Sequence, residues 1–143
     1  LLGHYLTKIS PGVTTILSSD TMLEELSAAT KDDVVIAFSF ARYSTATIDA
    51  ILTARSGGAY TIAITDSSSA PAAQLSDNAF IAAAAPTFFG NSFVAAVAVI
   101  NVILAMCTRN QPEAARGNLE RVERIAAHRN RFVQGSGLDK GND

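Results

Sequence analysis

Four short apolar runs punctuate the chain: Gly12 to Leu17, Asp33 to Ser39, Ala59 to Thr65 and Asn78 to Ala83. Within them apolar side chains follow one another without alternating with polar ones, as in parallel strands covered by helices on both faces. Asp33-Val34-Val35-Ile36-Ala37-Phe38-Ser39 is the strongest run, and Asn78 to Ala83 the weakest. Between the runs the spacing changes to that of helices. Thr21 to Ala29 sets Met22, Leu23 and Leu26 on one side and Glu24 and Glu25 on the other, and Ser44 to Ser56 sets Ile48, Ile51 and Leu52 on one face. Gly57-Gly58 follows at once, a natural stop because glycine tolerates positive φ. Asn91 or Ser92 is placed to cap an apolar helix running through Met106, greasy on every side and therefore expected at the centre of the fold.

After Pro112 the pattern becomes amphipathic. Leu119, Val122, Ile125, Ala126 and Phe132 form a ridge, and Arg116, Glu120, Arg121, Glu123 and Arg124 a solvated face with a Glu120/Arg124 pair at i,i+4. Leu2, Tyr5, Leu6 and Ile9 share a face of an opening helix, so a further strand is expected before Leu1. Alternating strands and helices predict an α/β fold: a three-layer αβα sandwich with a doubly wound parallel sheet, its first strand missing from this chain. One domain is expected over residues 1–133, followed by a flexible Gly-rich and polar tail over 134–143.

Composition narrows the function classes. Of 143 residues 48% are hydrophobic and 17% charged, too apolar for a disordered chain. Eleven Lys and Arg against thirteen Asp and Glu leave a net charge of −2, with no basic excess for a nucleic-acid backbone. Cys107 is the single cysteine and reads as a small buried hydrophobe, so neither an internal disulfide nor a multi-cysteine metal site can form. His4 and His128 lack metal-ligand spacing; no metal and no cofactor is expected. The longest apolar segment, Phe93 to Cys107, is shorter than the ~20 residues a membrane span needs. The opening residues do not read as a signal peptide, and a reducing, cytoplasmic setting is expected.

The candidate chemistry lies where strands end. In open α/β sheets ligands bind beyond the carboxyl ends of the strands, where helix N-termini point. Three such places are rich in hydroxyls: Ser18-Ser19-Asp20, Ser39 to Thr45, and Thr65-Asp66-Ser67-Ser68-Ser69. In the middle one Ser39 closes a buried strand, Ser44 and Thr45 open a helix, and the Arg42 guanidinium stands between them. Hydroxyls, helix amides and guanidinium can converge there on an anion. Helix capping explains the same serines without a ligand, and turn formation explains Asp66 and Ser67 to Ser69.

Asp33 to Thr47, with Ser39-Phe40-Ala41-Arg42-Tyr43-Ser44-Thr45-Ala46-Thr47 at its core, followed by Ala59 to Asp66, resembles the sugar isomerase (SIS) domain. The likeness is to the sensor domains of RpiR/MurR-type bacterial transcriptional regulators, which carry a strand followed by Ser-Phe-Ser-Arg-Tyr-Ser and a helix. Ser76-Asp77 and Pro86 to Ser92 also resemble that family, and the likeness runs from about Leu1 to Val133. It implies a phosphorylated sugar or sugar acid as ligand, with Ser39, Ser44 and Thr47 in the phosphate loop and Arg42 and Tyr43 at its entrance. It also implies a homodimer or larger oligomer, and DNA binding only through a helix-turn-helix domain absent from this chain. Ala41 stands where the family has a second serine; one lost hydrogen bond of ~1.5–3 kcal/mol weakens binding about 10- to 100-fold. The family's first strand and its Gly-rich, Ser-containing turn are absent as well.

Some SIS domains isomerise sugar phosphates, which needs a base beside a carbonyl. From Asp33 to Arg109 there is neither Glu nor His, only Asp33, Asp49, Asp66 and Asp77. His128 fits a surface or interface role. No catalytic residue is assigned, and a sensor is favoured over an isomerase and over a dimerisation module that has lost its ligand.

Overall fold

The computed structural model describes residues 1–10, 12–17, 19–84 and 92–128. Three of the four apolar runs are strands: β1 (Val34–Ser39), β2 (Tyr60–Thr65) and β3 (Asn78–Ile81). They pair in parallel in the order β1-β2-β3, with Val34 opposite Tyr60, Ser39 opposite Thr65 and Ile62 opposite Asn78. The helices are α1 (Leu2–Leu6), α2 (Ser19–Ser27), α3 (Thr45–Ser56), α4 (Pro71–Leu75), α5 (Val94–Asn110) and α6 (Pro112–His128).

Side chains alternate between the faces of a strand, and that period of two assigns the layers. Val35 packs with Leu26, Ala50, Ala54 and Ala59, and Ala37 with Ile51, Ala63 and Ala72, so α2, α3 and α4 cover one face. Ile36 and Ile64 point the other way, onto Ala96, Val99 and Ile103 of α5. The result is the αβα sandwich expected, with helices on both sides of a parallel sheet. Small residues dominate the α3 face, where Ala54, Ala63 and Ala72 are fully buried and let the helices approach closely. Gly58 ends α3 with φ +93°, and Gly57 passes so close to the Ala29 carbonyl oxygen that a Cβ would collide with it.

Several expectations fail. Gly12 to Leu17 is not a strand: Ile16 packs against the α2/α3 cluster, Leu17 is 93% exposed, and the run pairs with no described strand. An apolar run without a ladder partner stays irregular. The segment Pro71–Leu75, too short to show a period, is a helix. Helix α5 begins at Val94 with Phe93 at the cap, not Ser92, and runs on to Asn110; Asn91 lies outside the described residues. It is not covered all round, because Val94, Val97, Val102 and Met106 are exposed. Cys107 is only half-buried. On α6 the ion pair is Arg116–Glu120 at 3.1 Å instead of Glu120–Arg124, since a glutamate reaches one turn in either direction. The opening helix stops at Leu6, short of Ile9. Phe132, the side chain of His128 and the 134–143 tail lie outside the described residues.

Candidate functional site

Parallel pairing brings the carboxyl ends of the three strands to one edge of the sheet, and the β1–α3 junction lies there. Ser39 is the last residue of β1 and shares the odd-numbered parity of Val35 and Ala37, so it belongs to the α3 face. It is 4% exposed, and its Oγ has no hydrogen-bond partner among the described residues. Leaving a buried hydroxyl unsatisfied costs about 1–3 kcal/mol. Ser76 Oγ is also buried without a partner among the described residues, but it follows α4 and precedes β3, at the opposite edge.

Ser44 is the N-cap of α3, with extended backbone (φ −80°, ψ 129°), yet its side chain makes no capping hydrogen bond. The amides of Thr45, Ala46 and Thr47 in the first turn of α3 have no acceptor within the helix. Thr47 is half-buried in that turn, and Ser44 and Thr45 are exposed. Capping, the alternative explanation for these hydroxyls, is therefore not what Ser44 does. The β1–α3 junction thus combines unsatisfied hydroxyls with the free amides that make up the positive end of α3.

The loop between Ser39 and Ser44 is held by a residue from the next strand. Asp66, one past the end of β2, accepts from the Ala41 amide through Oδ2 at 3.2 Å and from the Tyr43 hydroxyl through Oδ1 at 3.0 Å. The Thr65 hydroxyl donates to the same Oδ1 at 3.3 Å. Tyr43 therefore turns toward Asp66, and burial, followed by its bond to that carboxylate, pushes the phenol above its ordinary value. Between the two tethered residues Arg42 has φ +66°, the one positive φ among the described non-glycine residues. The left-handed region costs an ordinary side chain about 1–2 kcal/mol, and the flanking bonds to Asp66 offset it. On the other side of the junction Phe40 meets Phe93 edge to face, with ring centroids 5.3 Å apart, and packs into the cluster of Ile64, Ala82 and Ala96.

The other hydroxyl-rich ends differ. Ser67 and Ser69 bond to each other at 2.8 Å, the Ser69 amide donates to Ser67 Oγ, and Gln74 donates to the Ser68 carbonyl; this is a self-satisfied turn leading into α4. Ser18 and the Ser19 side chain lie outside the described residues. Asp77 belongs to the amino edge of the sheet, where it accepts from the Thr61 amide and hydroxyl at 2.8 Å each and pairs with Arg55 at 3.1 Å. Those Thr61 bonds, ahead of the Arg55 charge, hold its carboxyl below the ordinary value. Asp66 is the residue that reading the sequence underrates: its position at a strand end is visible there, but its tie across to Ala41 and Tyr43 is not. Among the described residues no grouping of three or more His, Cys, Asp or Glu is arranged to hold a metal, and no helix is long and apolar enough to cross a membrane.

Comparison with known proteins agrees with this architecture. No curated protein matches the chain by sequence. The sugar isomerase domain of an RpiR transcription factor from Sphaerobacter thermophilus superposes with a TM-score of 0.75 at 33% identity, over 86% of this chain and 69% of that one. NanR of Vibrio vulnificus, solved in complex with ManNAc-6P, superposes with a TM-score of 0.75 at 18% identity, over 89% of this chain and 49% of its own. At that identity the likeness to NanR shows the fold alone. The family model described as the SIS domain matches residues 2–107, which takes in the sheet, the β1–α3 junction and most of α5, and the chain belongs to that family.

Proposed function

We propose that this chain is the phosphosugar-sensing effector domain of an RpiR-type transcriptional regulator. The phosphate of a phosphorylated sugar or sugar acid binds at the β1–α3 junction. The hydroxyls of Ser39, Ser44 and Thr47 and the first-turn amides of α3 donate to it, and Arg42 supplies the opposing charge. Tyr43 borders the entrance. The observation that carries this reading is the buried hydroxyl of Ser39, without a partner among the described residues, in the loop before a helix start that Ser44 leaves uncapped. Four or five charge-assisted hydrogen bonds gross roughly 6–15 kcal/mol, against association costs of ~4–15 kcal/mol. Phosphate thus orients the ligand and the sugar supplies the surplus. ManNAc-6P, bound by NanR, is one member of the ligand class to try.

Regulation follows if the ligand prefers one arrangement of a dimer over another. The exposed face of α5, with Val102 58% and Met106 61% exposed, offers the surface for a second copy. A DNA-binding domain outside this chain would read that arrangement in the cytoplasm. An isomerase needs a base within reach of the sugar carbons, and the acid that β2 delivers to this edge, Asp66, is already engaged with Ala41 and Tyr43. Calorimetry with ManNAc-6P, other hexose 6-phosphates and inorganic phosphate tests the reading. Binding that Ser39→Ala and Ser44→Ala each weaken supports it, and unchanged affinity in both refutes the site. Interconversion of aldose and ketose phosphates would establish the isomerase instead.

A further inference from the structure

We infer that Asp66 is a positioning residue for the phosphate site, acting through the Ala41 amide and the Tyr43 hydroxyl to hold Arg42 in its left-handed conformation. The inference rests on the phosphate reading and adds to it a residue outside the β1–α3 segment. Its basis is a juxtaposition: the two bonds from Asp66 land on the residues either side of the one described non-glycine residue with positive φ. A loop free to relax would return Arg42 to negative φ and swing its guanidinium elsewhere. The carboxylate removes that freedom before ligand arrives, and preorganisation of this kind raises affinity by lowering the ordering cost of binding. Asp66 itself cannot donate to phosphate when ionised, so its effect on affinity runs through the loop.

Substitution separates this role from a simple effect of charge. In Asp66→Asn the side-chain oxygen can accept from Ala41, while the new NH2 donates to the Tyr43 oxygen, which accepts as readily as it donates. Asparagine therefore keeps both arms and drops the charge; Asp66→Ala drops everything. We expect Asp66→Ala to weaken binding of the tightest hexose 6-phosphate about tenfold or more, and Asp66→Asn to stay within about threefold of the original chain or bind more tightly. Tyr43→Phe removes one arm, keeps the ring, and should weaken binding about threefold; it serves if Asp66→Ala does not fold. The measurements are calorimetric affinities for that sugar phosphate and for inorganic phosphate, with thermal unfolding recorded alongside. Rescue by asparagine is the readout that a purely electrostatic role would not produce, and weakened binding in Asp66→Ala with an unchanged unfolding midpoint is the one that a merely structural role would not. Equal weakening in Asn and Ala, or unchanged affinity in Asp66→Ala or in Tyr43→Phe, overturns the inference. Absence of binding in the unsubstituted chain defeats the phosphate reading itself, and this role with it, before Asp66 is altered.

Discussion

Ser39→Ala should make the protein more stable and less able to bind. The Ser39 hydroxyl is buried and has no partner among the described residues, so its removal should relieve a desolvation penalty of about 1–3 kcal/mol. For a domain of this length that corresponds to a rise in Tm of roughly 3–10 °C. The same substitution removes a donor to phosphate; losing ~1.5–3 kcal/mol there weakens binding about 10- to 100-fold. Opposite signs in stability and affinity mark a group retained for its ligand. Ser76→Ala is the matched control, since Ser76 Oγ is also buried without a partner among the described residues but lies at the amino edge of the sheet. It should raise stability by a similar amount and leave phosphosugar affinity unchanged. The assay is urea unfolding, read as a shift in midpoint at constant m, paired with calorimetry on the same preparations. A Ser39→Ala protein less stable than the original, or one that binds as tightly, would show that a neighbour or an ordered water satisfies the hydroxyl.

Arg42→Gly should be more stable than Arg42→Ala by about 1 kcal/mol in urea unfolding, because glycine adopts φ +66° without a Cβ clash; equal stabilities would mean that the loop relaxes in both. Asp77 has a lower carboxyl pKa folded than the ordinary 3.8, so its contribution to stability is complete above that value and lost as pH falls through the folded one. Asp77→Asn should therefore flatten the acid limb of a stability-against-pH curve measured below about pH 4, and an unchanged limb would assign acid sensitivity to other carboxylates, Asp33 first, whose bonds from Thr30 lower it as well. Val102→Glu on the exposed side of α5 should shift the chain to monomer in sedimentation without lowering its unfolding midpoint. An unaltered oligomer would move the interface elsewhere.

The strands were legible because a parallel strand flanked by two helical layers cannot alternate: Val34 to Phe38 and Ile62 to Ile64 read as apolar runs for that reason. Gly12 to Leu17 has the same composition and no partner strand, which periodicity cannot register. Greasiness misled in α5, where Val94, Val97, Val102 and Met106 are as apolar as the buried side and yet open. At the site, Ser39 and Ser44 could be found from a strand end meeting a helix start. That Ser39 would be orphaned and Ser44 uncapped depends on neighbours that no local window contains. Asp66 required the register: Ser39 opposite Thr65 is what sets the residue after β2 beside the loop after β1, twenty-five positions back in sequence from Asp66 to Ala41.

Helix α3 is held closely at its far end. Its twelve residues span about 18 Å, from the uncapped start at Ser44 to Gly57, which rests against the Ala29 carbonyl with no room for one more carbon. A rod so confined cannot slide along its axis without displacing whatever abuts its far tip. That contact ties the spacing between the end of α3 and the stretch where the chain leaves α2 for β1 to the absence of a side chain at Gly57.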